Sequence, residues 1–509
     1  MRATFYLAVA AALAASHPAA AQKSKDTLRM AATEPSANVG YYLDPKPDTV
    51  FSSEAVYDAL VSYDLKEGKV EPLLAKSWRR VDDKTLEFTL RDDVTWHDGA
   101  KFAAADVLAT LRWLIDPATT VRFKQNWAWI DRVDQAGPGA VRVIAKEPTP
   151  YDLIRFAYVT AIQPAHLMDR LGGKATPEMA PVGTGPYRVV TRDASLLTLE
   201  RNPNYRHGNA AKPGTNIGRI TIATIPEHGT RLAQLLAGNL DLIQQVPIAQ
   251  AKDLARDPRF TYSVVQGRSF MYVAYDSKGR SGAKPVQDER VRRALAMSID
   301  RKALIEIQAG DAPLVSPEAM CWRDQIGCDY TRALPPYDPA AAKTLLAEAG
   351  YPNGFDIEIT TFTGAVGDVA EAVAGQWYKI GVRAKIDRRT VLSYRGKQRD
   401  GKIQIMVAAW PAGNIPDVSG TVEAFFGEGP ADYSGDAELH ALAAQSAAEM
   451  DPEKRKAIGR RMFDRATEKV YFYPVAPYPS VLVHTREVAV GPAGRFTPIG
   501  YEVSDIRWK

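Results

Sequence analysis

The chain of 509 residues sets 64 Lys and Arg against 60 Asp and Glu, a formal charge of +4. That length exceeds one ordinary hydrophobic core, so two or three domains are expected. A near-neutral balance with no basic block interleaved with aromatics argues against a nucleic-acid partner.

Arg2 precedes an apolar run over 5–15, too short to span a bilayer, and Ala19-Ala20-Ala21 offers a small-residue cleavage site. The pattern fits an export signal cut after Ala21, leaving Gln22 first; a buried N-terminal helix is the alternative reading. Loss of Arg2 takes the charge from +4 to +3. No Cys follows the apolar run, so a lipid anchor is not expected, and the mature protein is expected to be soluble and exported.

A short strand over 28–32 leads to Thr33-Glu34-Pro35, and a helix is expected over 52–60. Residues 72–78 form a short packed element. Leu86, Phe88 and Leu90 then alternate with Glu87, Thr89 and Arg91, the period of a half-buried strand. A turn at His97-Asp98-Gly99 follows, then a helix with Val107, Leu108, Leu111 and Ile115 on one side. Trp127 and Trp129 either line a cleft or cover this region. A strand over 140–145 is closed by Pro148 and Pro150, which a central strand would not tolerate. Helices near 152–157 and 164–171 precede Gly183-Thr184-Gly185-Pro186-Tyr187. No Lys follows these glycines as in a phosphate loop, and strand rather than helix comes after them, so they are expected to serve a tight backbone turn.

Strand 217–225, helix 230–237 and strand 238–242 form a β-α-β unit, the building block of an open parallel sheet. A helix over 248–256 and strands over 262–265 and 270–275 come next. A strong helical region spans 286–310; Arg292, Arg293 and Arg301 are expected on its solvated face. Asp338 suits an N-cap, Pro339 the first helical position, and Gly350 the stop. Strand 355–361, helix 369–378 and strand 382–387 make a second β-α-β unit. A strand over 403–409 ends at Trp410. Asp451-Pro452 opens a last long helix to about 470, and 472–475 and 481–485 are extended. The only cysteines, Cys321 and Cys328, are expected to pair in an oxidising compartment rather than stay free or hold zinc.

Catalytic signatures are weak. There is no G-x-S-x-G elbow and no H-E-x-x-H pair, and the seven histidines lie far apart. His97-Asp98 invites a dyad but is explained as turn residues. No metal or cofactor is expected, and no enzymatic activity.

Four strings together carry a resemblance. They are LEFTLRDDVTWHDGAKFAAADVLATLRW at 86–113, GTGPY with ERNPNY at 183–205, VRRALAMSIDR at 291–301, and the stretch from Tyr337-Asp338-Pro339 to Gly350-Tyr351. In this order they resemble the family 5 extracellular solute-binding proteins that serve peptide and nickel ABC importers. The resemblance implies an α/β, two-lobed periplasmic binding protein of type II, from the large cluster with an extra subdomain, with mixed β-sheets flanked by helices. Lobe I would hold 22–266 and 480–509, with the extra subdomain at about 53–179; lobe II would hold 267–479. A monomer would close on a peptide or similar polar solute between the lobes and deliver it to the membrane permease. The alternatives are an opine, sugar or nickel-chelate receptor, an exported hydrolase on a two-lobed scaffold, or a chemosensory or chaperone-like binding protein.

Candidate ligand contacts are Glu34, Arg268, Phe270, Tyr272, Trp410, Asn414 and Asp417; for each aromatic, core packing is an equal alternative. Peptide binders of the family pair the ligand ammonium with acids of a W-x-x-D-x-x-D-P pattern. Here those two positions hold Gly413 and Pro416, with Asp417 one place later as the substitute. That departure weakens an ordinary peptide assignment.

Overall fold

The computed structural model describes residues 26–33, 39–40, 42, 47–170, 181–411, 415–491 and 500–509. The expected signal segment, Glu34 and Asn414 lie outside the described residues.

Three sheets organise the chain. A seven-stranded sheet runs Phe260–Val265, Ser480–Thr485, Leu242–Gln244, Thr27–Ala32, Arg219–Thr224, Leu196–Arg201, Tyr187–Arg192. Thr27–Ala32 is parallel to both Arg219–Thr224 and Leu242–Gln244, so the first β-α-β unit closes around the N-terminal strand instead of pairing its own strands. A five-stranded sheet runs Arg383–Arg389, Asp356–Phe362, Ile405–Trp410, Phe270–Tyr275, Phe472–Pro477. There the second β-α-β unit pairs directly, in parallel. A four-stranded antiparallel sheet runs Ala75–Asp82, Thr85–Leu90, Ala140–Ala145, Ile130–Gly137. The chain passes from the seven- to the five-stranded sheet between Val265 and Phe270 and returns between Pro477 and Ser480.

Phe270–Tyr275 shows why an unbroken apolar run makes a central strand. All its residues are buried. Met271, Val273 and Tyr275 enter one core, and Phe270, Tyr272 and Ala274 the other, as a period of two requires.

Several expectations shift. The first helix is Pro47–Val56, earlier than the expected 52–60. Residues 72–78 are not one element: the strand Lys69–Pro72 ends there and Ala75–Asp82 begins. The helical region 286–310 is broken into Glu289–Met297 and Arg301–Ala309, the second capped by Asp300 accepting the Ala303 N–H. Arg292 is not on a solvated face. It is 3% exposed, and its guanidinium donates to the carbonyls of Val286, Gln287, Lys469 and Val470. A helical period assigns faces by hydropathy alone, so it misses a buried Arg that satisfies orphan carbonyls. Trp127 is buried in the core of the four-stranded body, its Nε1 donating to Thr160 Oγ1 at 3.1 Å. Cys321 and Cys328 are joined in a disulfide inside the core beside the five-stranded sheet.

The strings at 86–113 and 183–205 meet in space. The Gly185 N–H donates to the Val56 carbonyl at 2.9 Å. A Cβ on Gly183 would lie 1.8 Å from that same oxygen, which only glycine allows. Thr184 Oγ1 donates to Asp58 Oδ2 at 2.9 Å. Asp58 is fully buried and also holds His207 at 2.8 Å and the Lys212 ammonium at 2.7 Å. Burial presses its pKa upward, but the Lys212 and His207 contacts override that and hold it well below the usual carboxylate range. His97 and Asp98 do not pair: His97 faces the glycine turn, while Asp98 bonds His166 at 2.7 Å.

His97 Nδ1 accepts the Gly183 N–H at 3.1 Å, and Nε2 lies 3.0 Å from the Gly185 carbonyl, which fixes the neutral Nε2–H form. Burial lowers its pKa, and His484 is lowered the same way. Below an unfolded value of about 6.5 the unfolded chain therefore takes up protons that the folded chain refuses, so stability falls as pH falls. We expect His97→Ala to cost about 1–3 kcal/mol at pH 7.5. It should also flatten the decline between about pH 7 and 5.5 in urea titrations, with His484 supplying the remaining slope. An unchanged slope would contradict the assigned neutral form.

Candidate functional site

At one end of the five-stranded sheet, strands finish on Phe362 and Trp410, two aromatic residues. Together with Tyr272 and the helix Val391–Arg399 they line a cavity of ≈ 310 Å³. The helix Ser419–Phe425 adds Glu423 and Phe425. Phe123, Gln125 and Asn126 complete the wall from the body of the four-stranded sheet, just before its strand Ile130–Gly137. The cavity therefore lies between two separately cored bodies, where ligand pockets commonly form.

Its floor is aromatic and rigid. Trp410 Nε1 donates to Thr421 Oγ1 at 2.9 Å, and its ring meets Phe425 edge-on at 4.8 Å. Tyr272 also meets Phe425 edge-on, at 5.5 Å. Burial pushes the Tyr272 hydroxyl far above its usual range, so it stays protonated.

Few charged contacts cross between the bodies. Arg155, on the helix Asp152–Tyr158, forms an ion pair with Glu423 and donates to the Gln125 carbonyl at 2.9 Å. The Arg155 side chain is 4% exposed and that of Glu423 40%, so the carboxylate faces the cavity while the guanidinium is enclosed. The Arg395 guanidinium lies 5.9 Å from the Phe123 ring centroid. Ile415 packs into the core of the four-stranded body. A second cavity of ≈ 530 Å³ lies at the chain crossing, between Gln244–Ala249 and Thr363–Asp368, beside Tyr478 and Pro479.

The described sequence candidates divide. Tyr272 and Trp410 line the first cavity. Phe270 is fully buried against Trp322, and Arg268 pairs with Asp324 and stacks on Trp322 at 5.4 Å. Asp417 is fully buried, its two oxygens 2.6 and 2.7 Å from the Arg455 guanidinium, and it caps the Ser419 N–H at 2.7 Å. Glu423, Arg155, Arg395 and Gln125 were not anticipated. Glu423 is 13 residues beyond Trp410 and Arg395 sits on a helix with little apolar period, so no local pattern marked them. Among the described residues no group of three or more His, Cys, Asp or Glu is placed to hold a metal ion.

Residues 69–433, well over half of the chain, match the family described as bacterial extracellular solute-binding proteins, family 5. The chain belongs to that family. It is 28% identical over 464 residues to heme-binding protein A of Haemophilus influenzae, covering 81% of this chain and 82% of that one. It is 27% identical over 387 residues to the glutathione-binding protein GsiB of Salmonella typhimurium, covering 73% and 72%. The fold matches that of NikA from Brucella suis, solved with Fe(III)-EDTA, at a TM-score of 0.82 and 21% identity over 95% of this chain and 100% of that one. The fold is thus that of the two-lobed periplasmic binding proteins, with mixed sheets flanked by helices. The relatives are binding proteins rather than enzymes.

Because Arg155–Glu423 ties the two bodies of this family 5 protein, Arg155→Ala should favour a more open ligand-free form. Small-angle X-ray scattering should then give a larger radius of gyration than for the unmutated protein. An identical value would mean the pair does not hold the bodies together.

Proposed function

We propose that this protein is the solute-capturing component of an ABC importer. It closes its two lobes on a peptide or similar small polar solute in the ≈ 310 Å³ cavity and presents the closed form to the membrane permease. The observation that carries this reading is the cavity's construction. Sheet-end aromatics from one body and Phe123, Gln125 and Asn126 from another share one ligand-sized space. A solute touching both bodies has extra affinity for the closed form and shifts the population toward it.

Lobe I comprises 22–266 and 480–509, with the four-stranded body as its subdomain at about 53–179, and lobe II comprises 267–479. Strand membership supports this division: the described strands of the five-stranded sheet all fall between Phe270 and Pro477, while those of the seven-stranded sheet fall outside that span. Tyr272 and Trp410 are proposed as ligand contacts, together with Glu423 and Arg395. Glu34 and Asn414 remain candidate contacts on sequence grounds. Asp417 is assigned to holding Arg455, and Phe270 and Arg268 to supporting the floor. The protein acts in the periplasm as a monomer after cleavage behind Ala21, and it catalyses no reaction. Relatives named for heme, glutathione and murein peptide show the breadth of solutes from which this one is drawn.

The test is thermal unfolding of the refolded, ligand-stripped protein against di- to pentapeptides, opines, sugars, organic acids and nickel chelates. One solute class should raise the transition saturably, because a ligand bound only by the native state must stabilise it; occupancy at about 100 Kd adds about 2.7 kcal/mol. A flat response to every class would contradict the reading.

A further inference from the structure

Cavity charge is the feature that the general transport role leaves unexplained. Among the described residues one carboxylate, Glu423, lines the ≈ 310 Å³ cavity, and it and the sequence candidate Asp417 are both already paired. Glu423 faces the Arg155 guanidinium, and Asp417 gives both oxygens to Arg455. The positions where the family's peptide binders place acids hold Gly413 and Pro416.

Positive charge is in excess. Arg395 lines the cavity and has no ion-pair partner among the described residues; its guanidinium lies over the Phe123 ring. Arg122, next to Phe123, also lacks a carboxylate partner among the described residues and lies near enough for its charge to act on Arg395. Partial burial and then that like charge lower the Arg395 pKa, yet a guanidinium remains ionised at neutral pH. Lys124, two residues on, spends its ammonium on the carbonyls of Asp116 and Thr119. The other polar lining groups include the neutral amides of Gln125, Asn126 and Gln398.

Two guanidinium groups near enough to act on one another repel, and an anion bound at Arg395 relieves that repulsion. A ligand ammonium would instead leave water for a site whose described carboxylates are taken, and an unpaired buried charge is costly. A guanidinium with open donors is suited to a carboxylate or phosphate oxygen pair. We propose that Arg395, with Arg122 beside it, selects an organic anion that carries no free ammonium, such as an N-acylated peptide or a sugar acid, over zwitterionic peptides. This rests on the transport-receptor reading and narrows its solute class.

The experiment is isothermal titration of the ligand-stripped protein with N-acetyl-trialanine, trialanine, trialaninamide, glutarate, gluconate, galacturonate and galactose. Binding should concentrate among the ammonium-free acids. Any binding by trialanine should be weakened at least ten-fold by amidation and maintained or strengthened by N-acetylation. Arg395→Gln should weaken the acids at least ten-fold while leaving the melting temperature of the empty protein unchanged, and Arg395→Lys should restore part of the loss. Preference for trialanine over its acetylated form would overturn the proposal and leave the transport reading standing. So would acid binding indifferent to Arg395→Gln, or binding confined to galactose. Silence from all seven probes would also overturn it. The broader unfolding panel, which includes nickel chelates and longer peptides, then separates that outcome from failure of the transport reading itself.

Discussion

A single buried carboxylate holds the first half of the molecule together. Asp58 has no exposed side-chain surface, and an isolated charge there would be prohibitively costly. It is tolerable because Lys212, His207 and Thr184 converge on it from two distant stretches of chain. Removing one partner of such a cluster leaves an uncompensated charge, typically a loss of about 3–5 kcal/mol. The same cluster draws the Gly183–Gly185 turn against the end of the helix Pro47–Val56, where glycine alone fits. His97 then ties that turn to the four-stranded body. Two of the strings that carry the family resemblance, at 86–113 and 183–205, therefore dock the four-stranded body onto the seven-stranded sheet, while the other two pack together in the core of the five-stranded body.

Docking that body fixes where Phe123, Gln125 and Asn126 stand, and so fixes one wall of the cavity. The other wall belongs to the five-stranded sheet and the helices packed on it. In that wall Trp410 and Tyr272 both pack edge-on against Phe425. The ties between the two walls include Arg155 with Glu423, the Arg455 guanidinium over the Tyr151 ring, the Arg395–Phe123 contact, Leu65 and Tyr158 against the core of the five-stranded body, and Ile415 in the opposite core. Where two bodies share a cavity, a ligand that touches both favours whichever arrangement gives it more contacts, and its differential affinity sets how far the balance moves.

Local pattern made much of the fold legible. The alternation at Leu86–Leu90, the apolar run at Phe270–Tyr275 and the Asp338-Pro339 cap each became the element expected, because each signal lies within a few residues. The glycine turn was legible as a turn, but not its partner Val56, which lies 127 residues earlier. Charged residues were the least legible. Arg292 looks solvated on a helical wheel yet is enclosed by carbonyls. Asp417 looks available for a ligand until Arg455 arrives from 38 residues downstream. Whether a charge is free or spent depends on long-range pairing, which neither hydropathy nor spacing records. Of the candidate cavity, the sequence pointed to Tyr272 and Trp410, while Phe123, Phe362, Tyr394 and Phe425 went unmarked and Arg395 and Glu423 sit on helices that the apolar period did not announce.

The most direct test is a crystal structure of the protein with a solute that stabilises it. The account predicts electron density for that solute between Phe123 and Trp410, with a polar group of the ligand at Arg395 and both walls in contact with it. Density confined to the larger cavity beside Tyr478, or a solute touching only one body, would contradict it.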